Sequence, residues 1–152
     1  MFHALPRSGG SYIVLFTLPA LTDFPIGRSR RYSFPAGVYA YVGSALGPGG
    51  LAARVGRHAR GTTKPHWHID HLLPQAELLG ALVQVSAARL ECTWAGELAA
   101  HAPAIISGFG ASDCRCAGHL FRLGATVSAG EWIDWMVKKW EARWYALHRE
   151  AC

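Results

Sequence analysis

The sequence predicts a single α/β domain of the α+β type, in which short strands and helices build one core. The chain has 152 residues, the size of one ordinary domain. Hydrophobic residues make up 51% of it and charged residues 16%, so general disorder is excluded. Short β-branched and aromatic runs occur beside stretches in which apolar residues recur every three or four positions. These patterns predict strands and amphipathic helices in the same chain.

Two strands are predicted in the first third of the chain. Residues 11–18 are apolar almost throughout and end at Pro19, which is typical of a buried strand. Residues 38–42 predict a second strand with Tyr39 and Tyr41 on one face. The segment between the two strands is rich in proline and glycine, which favours a loop or a small exposed hairpin.

The later elements follow from apolar spacing. A helix is predicted over residues 51–60, with Arg54 and His58 four positions apart on one stripe. Residues 66–73 fit either a strand or a short helix. A strand is predicted over residues 79–86 and a helix over residues 87–100. A last short strand is predicted over residues 119–123.

A long C-terminal helix is predicted from Ser128, which forms a capping-box pattern with Glu131. Its large apolar residues recur at spacings of three and four: Trp132, Trp135, Met136, Trp140, Trp144 and Leu147. We therefore divide the chain into a domain over residues 1–127 and a tryptophan-rich helix over residues 128–152 that packs on it. The same stripe is a candidate homodimer interface.

Positive charge is concentrated in one segment. Residues 19–65 carry seven basic side chains and one acidic one, which more than accounts for the net charge of +5. Such a segment suits a surface that faces phosphates, although a solvated basic face has the same composition. No apolar run is long enough to span a membrane, and the first residues lack a secretory signal. We expect a soluble, cytoplasmic protein without a membrane partner.

Five side chains have the chemistry that hydrolysis of a phosphodiester requires. The phenols of Tyr12 and Tyr41, on adjacent predicted strands, can orient a water or relay a proton. The guanidinium of Arg54 can clamp a phosphate, and His58 lies on the same helix face. The carboxylate of Glu91 can hold a divalent cation.

The ordered series of these residues resembles the GIY-YIG nuclease superfamily: Gly10-x-Tyr12, Tyr41-Val-Gly43, Arg54, His58 and Glu91. Further segments resemble its branch called domain of unknown function 123: Tyr39 to Ala45, Gly49 to Leu51, Arg57-His58, His66 to Asp70, Glu91-Cys92, Phe109 to Cys114 and His119 to Phe121. The resemblance implies a small, mostly antiparallel central sheet flanked by helices. It also implies one Mg²⁺ or Mn²⁺ ion and endonuclease cleavage of structured or damaged DNA, as in DNA repair.

The resemblance also implies a role for each residue of the series. Tyr12 would be the general base or would orient the water, with Tyr41 as its hydrogen-bonding partner. Arg54 would contact the scissile phosphate, and His58 would assist proton transfer or contact phosphate. Glu91 would hold the metal ion.

Two parts of this assignment stay open at the level of sequence: which acid holds the metal ion, and whether the protein cleaves the nucleic acid or only binds it. Two nearby acidic residues, Glu77 and Glu97, are alternatives to Glu91 as the metal ligand. Contacts to DNA are expected from a further set of polar side chains: Ser44, Arg57, Lys64, His66 and His68. A module that binds nucleic acid on the same fold without cleaving it is the main alternative to an enzyme.

Two clusters of potential ligands raise zinc as another possibility. The first cluster contains His66, His68, Asp70 and His71. If the segment is a strand, His66, His68 and Asp70 share one face and suit zinc, whereas in a helix that arrangement is lost. Substrate contact and structural hydrogen bonding are the alternatives. The second cluster contains two cysteines and a histidine, with one more cysteine earlier in the chain: Cys114, Cys116, His119 and Cys92. Its C-x-C spacing is tighter than that of most structural zinc sites, and reduced, packed thiols or a disulfide are the alternatives.

Overall fold

The computed structural model describes residues 5–26, 30–111 and 114–148 of the chain. Four helices and eight strands are assigned within these ranges. The strands are β1 (Gly10–Leu18), β2 (Thr22–Ile26), β3 (Arg30–Phe34), β4 (Gly37–Ala45), β5 (Glu77–Val85), β6 (Ala104–Ile105), β7 (Leu120–Gly124) and β8 (Arg143–Ala146). The helices are α1 (Gly50–Arg60), α2 (Ile69–Leu72), α3 (Glu91–His101) and α4 (Ala129–Trp140).

Six strands form one sheet in the order β6-β7-β4-β1-β5-β8, and each neighbouring pair is antiparallel. The proline-rich segment between β1 and β4 forms the separate two-stranded sheet of β2 and β3, in agreement with the expected hairpin. The α+β fold class, with a mostly antiparallel central sheet flanked by helices, is therefore confirmed.

The central strand β1 is buried along its whole length. Tyr12 and Phe16 point into a core cluster shared with α1, whereas Ile13 and Leu15 point into a second cluster shared with α3 and α4. Because both faces are covered, the strand has no need of polar residues at alternate positions. This explains why residues 11–18 read as one continuous apolar run.

Helix α1 agrees with its prediction. Its expected apolar stripe is fully buried against the sheet: Leu51, Val55 and Ala59. The flanking glycines Gly49 and Gly61 have φ angles of 81° and 80°, a left-handed region that favours glycine and marks the two ends of the helix. His58 is also buried, at 2% exposure, so its side chain points inward and not toward solvent.

The C-terminal helix is shorter than predicted. It ends at Trp140, where Glu141 adopts a left-handed conformation with φ 52°. Residues 143–146 form strand β8 and pair with β5, so Trp144 lies on a strand and not on the helical stripe. The helical spacing continued past Trp140, but the open edge of β5 offers backbone partners that a longer helix would leave unused.

The capping-box prediction at the start of α4 is also wrong. The Ser128 hydroxyl donates to the Ala125 carbonyl at 2.7 Å and makes no cap to the helix. The tryptophan stripe itself packs inward, since Trp140 stacks on Trp94 with ring centroids 4.9 Å apart. A homodimer through this helix stays a prediction. Among the described residues, no helix is long and apolar enough to cross a membrane.

Candidate active site and metal centre

A cavity of about 680 Å³ opens at the end of the sheet where β1 begins and β4 ends. It is lined by four of the five residues that the sequence series singled out: Tyr12, Tyr41, Arg54 and Glu91. The fifth, His58, lies directly behind Tyr12, within hydrogen-bonding distance of its hydroxyl. Residues from β1, β4, α1 and α3 therefore meet at one place.

The ring of Tyr12 lies over Gly43 on the partner strand β4. The two residues are paired in the β1–β4 ladder, and a Cβ at position 43 would overlap the Cζ and Oη atoms of Tyr12. Gly43 is thus required by close approach of a side chain and not by its backbone angles. Tyr41 pairs with Val14, two positions along β1, so it lies diagonally next to Tyr12 on the same face.

The hydroxyl of Tyr12 has a different partner from the expected one. It lies 2.8 Å from Nε2 of His58, and no hydrogen bond joins it to Tyr41 within the described ranges. Burial raises the pKa of Tyr12 well above its ordinary value, although the nearby Arg54 opposes this. Burial likewise raises the pKa of Tyr41. Both phenols are therefore protonated at neutral pH.

His58 is held in the neutral form. Burial lowers its pKa to about 4, with Arg54 and Arg57 adding to the effect and Asp70 opposing it. Its Nδ1 atom is buried without a hydrogen-bond partner among the described residues. If Tyr12 donates its hydroxyl proton to Nε2, the imidazole proton lies on this unpartnered Nδ1.

Arg54 is fixed by stacking and by hydrogen bonding. Its guanidinium lies 4.3 Å from the centre of the Trp67 ring, and Nη1 donates to the carbonyl of Ser44 at 3.0 Å. The guanidinium also acts on the Tyr12 hydroxyl, both by its charge and by a side-chain hydrogen bond, and Arg54 lines the cavity. An arginine at a cavity wall, with the five N–H donors of its planar fork, is suited to bind an anionic oxygen.

Glu91 is the only carboxylate among the described residues that line the cavity. It lies at the start of α3, with Arg89 at 3.7 Å and Nδ1 of His119 at 3.8 Å. The two alternatives do not reach this site. Glu97 accepts from the Trp140 indole at 3.0 Å and pairs with Lys139 at 3.2 Å, and Glu77 is exposed at the first position of β5.

The expected DNA-contacting residues fall into two groups. Ser44, His66 and His68 line the cavity. Arg57 and Lys64 do not: Arg57 pairs with Asp70 at 3.1 Å and donates to the backbone carbonyl of Lys64 at 3.2 Å. Arg57 is thus engaged within the protein, and the side chain of Lys64 is exposed outside the cavity.

Asp70 organises the segment that carries the cavity histidines, a role that the sequence did not reveal. Its carboxylate accepts from the backbone N–H groups of His66 at 2.8 Å and Trp67 at 3.0 Å, and from Arg57. Burial would raise its pKa, but these bonds outweigh that effect and keep the pKa below its ordinary value. The sequence offered no local signal for this role, because the burial of Asp70 and its contact with Arg57, 13 positions earlier, appear only in the fold.

The first predicted zinc cluster is not formed. Residues 66–68 precede the short helix α2 and are not a strand, so His66, His68 and Asp70 do not share a face as ligands. The carboxylate of Asp70 faces Arg57 and the backbone instead. Among the described residues, the histidine, cysteine and acidic side chains that lie close enough together to hold a metal ion belong to another part of the chain.

That group is the second predicted cluster, complete with its fourth member. The ligand atoms of Cys92, Cys114, Cys116 and His119 all lie within 4.8 Å of one another. Nε2 of His119 is 3.4 Å from Sγ of Cys114, and the three cysteines are free thiols. The chain can therefore hold a metal ion in a Cys₃His site, a donor set that suits zinc and not Mg²⁺.

The fold and the site define an α+β protein with a basic, tyrosine-lined cavity beside a potential thiolate metal centre. Comparison with protein families identifies the particular family. The model described as Domain of unknown function DUF123 matches residues 11–141, and the chain belongs to this family. Comparison with the curated proteins and with the solved structures gave no match.

Proposed function

We propose that the protein is a metal-dependent endonuclease of the GIY-YIG type that hydrolyses phosphodiester bonds in DNA. The observation that carries the proposal is the meeting of Tyr12, Arg54 and Glu91 in one cavity, with neutral His58 behind the tyrosine. A phosphate binder, a water-orienting hydroxyl and a carboxylate are the groups that such hydrolysis needs.

Arg54 would bind the scissile phosphate. Stacking on Trp67 and the bond to Ser44 hold its guanidinium in place before substrate arrives, so little conformational entropy is lost on binding. A fixed positive charge also stabilises the extra negative charge of the pentavalent transition state. Arg89, which lines the same cavity, adds to the positive potential.

Tyr12 would orient the attacking water and not act as a tyrosinate. Its raised pKa keeps the phenol protonated at neutral pH. In that state the hydroxyl oxygen accepts a hydrogen bond from the water while its own proton is donated to Nε2 of His58. The resemblance left the general base and the water orienter as alternatives, and the burial of this pair favours the second.

Glu91 fits a Mg²⁺ or Mn²⁺ ion, because these ions often bind through one carboxylate, several waters and the substrate phosphate. Bound there, the ion would supply the Lewis acid that offsets charge on the phosphate oxygens. The basic side chains concentrated between residues 19 and 65 support DNA, structured or damaged, as the substrate.

The test is incubation with branched, nicked and single-stranded DNA in Mg²⁺ or Mn²⁺. We expect Arg54→Ala and Glu91→Gln to lower the cleavage rate at least about 100-fold. Matched controls that make the same charge changes at exposed positions, Arg60→Ala and Glu77→Gln, should change it less than about threefold. Tyr12→Phe should lower turnover and leave DNA affinity within a factor of about two.

Two results would contradict the proposal. Cleavage that persists in both the Arg54 and the Glu91 variants would come from another site or from a contaminant. Salt-sensitive DNA binding without cleavage, in either metal and with all three substrates, would identify a binding module instead.

A further inference from the structure

We infer that Cys92, Cys114, Cys116 and His119 form a structural zinc site that fixes His119 and, through it, the carboxylate of Glu91. The zinc site depends only on the four ligands. The effect of the zinc site on Glu91 rests on the proposed function, because the role of Glu91 as ligand of the catalytic ion is part of that proposal.

The donor atoms match zinc in number and type. Tetrahedral zinc has bonds of about 2.3 Å to sulfur, so its sulfurs are about 3.8 Å apart. The four ligand atoms already lie within 4.8 Å of one another, and a contraction of about 1 Å completes the geometry. Three thiols and one imidazole leave no open position, which is typical of a structural site.

The ligands come from three separate parts of the chain. Cys92 lies in the first turn of α3, Cys114 and Cys116 lie in an irregular segment, and His119 immediately precedes β7. His119 is already anchored by its backbone, which donates to Phe109 at 2.7 Å and accepts from Val42 at 2.9 Å. A metal ion would tie the irregular segment and α3 to this anchored position.

The histidine connects the cluster to the cavity. Its Nε2 faces the sulfur of Cys114, whereas Nδ1 faces the carboxylate of Glu91 at 3.8 Å. That distance is an electrostatic contact and too long for a hydrogen bond. When Nε2 binds a metal ion, the proton is held on Nδ1, so the N–H points toward the carboxylate and orients it. Cys92 adds a covalent link, because it is the chain neighbour of Glu91.

Zinc content is measured first, by elemental analysis of the full chain after reconstitution with ZnCl₂ under reducing conditions. We expect about one zinc per chain, and Co²⁺ in its place should give the strong absorption of thiolate-bound, tetrahedral cobalt. Cys116→Ser should lose most of the metal. Cys152→Ser, which removes the cysteine outside the described ranges, and His101→Gln, at an exposed histidine, are the matched controls and should keep it.

Less than about 0.1 zinc per wild-type chain would overturn the site, as would full retention of zinc by Cys116→Ser. Both are read without DNA. An absence of nuclease activity therefore counts against the proposed function and not against the zinc site.

The effect on Glu91 is tested with His119→Cys, which replaces one zinc ligand by another and removes only the ring that faces the carboxylate. We expect this variant to keep its zinc and to bind Mn²⁺ about tenfold more weakly than the wild type in a titration without DNA. Glu91→Gln sets the value for a site without its carboxylate. Unchanged Mn²⁺ affinity in zinc-loaded His119→Cys would overturn the positioning role.

Discussion

Replacing His58 by glutamine should remove a large part of the acid sensitivity of the fold. In an unfolded chain a histidine titrates near 6.5, whereas burial lowers the pKa of His58 in the folded protein to about 4. Between these values the unfolded state binds the extra proton, so the free energy of unfolding falls as the pH falls. The contribution of neutral His58 is complete above about pH 7 and is lost progressively toward pH 4.

The size of the effect follows from the two pKa values. Between about pH 7.5 and pH 5, this one group should lower the free energy of unfolding by about 2 kcal/mol. His58→Gln has no titrating group, and its amide can still bond to Tyr12. The wild type should therefore lose about 2 kcal/mol more than the variant over this interval.

The assay is urea unfolding followed by tryptophan fluorescence at the two pH values. His101→Gln, at an exposed position on α3, is the control for the loss of a histidine. Equal pH dependence in the wild type and His58→Gln would refute the reasoning, because it would mean that His58 binds its proton equally well in the folded and unfolded states.

Two further substitutions test how the cavity is built. Gly43→Ala places a methyl group against the Tyr12 ring, so it should lower the free energy of unfolding in urea by about 1–3 kcal/mol. It should also lower DNA cleavage by more than the loss of folded protein explains. The control is Gly96→Ala, where a Cβ meets nothing within 4 Å, and equal stability and activity of the two variants would contradict this prediction. Asp70→Asn weakens three hydrogen bonds to a buried carboxylate and should cost about 2–3 kcal/mol in the same assay. Asp23→Asn, which breaks only an exposed ion pair with Arg31, should cost less than about 1 kcal/mol, and similar costs for the two asparagine variants would show that Asp70 does not anchor its segment.

Local patterns were enough to predict the main elements of the fold. The apolar run at residues 11–18 reflects a strand that is buried on both faces, and the apolar stripe of α1 reflects a helix that is buried on one side. The spacing of apolar residues along the sequence follows such burial, so it predicts these elements. The end of α4 could not be predicted in this way. It depends on pairing with β5, about sixty residues earlier in the chain, and a local pattern carries no information about such a partner.

The candidate site was predictable to the extent that its residues follow a known order. That order indicated Tyr12, Arg54 and Glu91, which line one cavity. It could not indicate that Tyr12 bonds to His58 and not to Tyr41, since which side chains meet depends on how α1 lies across the sheet. The fourth cysteine of the metal cluster was uncertain for the same reason, because Cys92 is 22 positions away from Cys114 in the sequence.

The two edge strands of the main sheet are both short. One is the two-residue strand β6, and the other is the four-residue strand β8, which covers β5 along part of its nine residues. Unpaired backbone along a long, flat border is a template on which a second chain can add strands, and natural proteins avoid this by keeping such borders small. The turn at Glu141, by sending the chain back along β5, therefore also limits self-association into extended sheets.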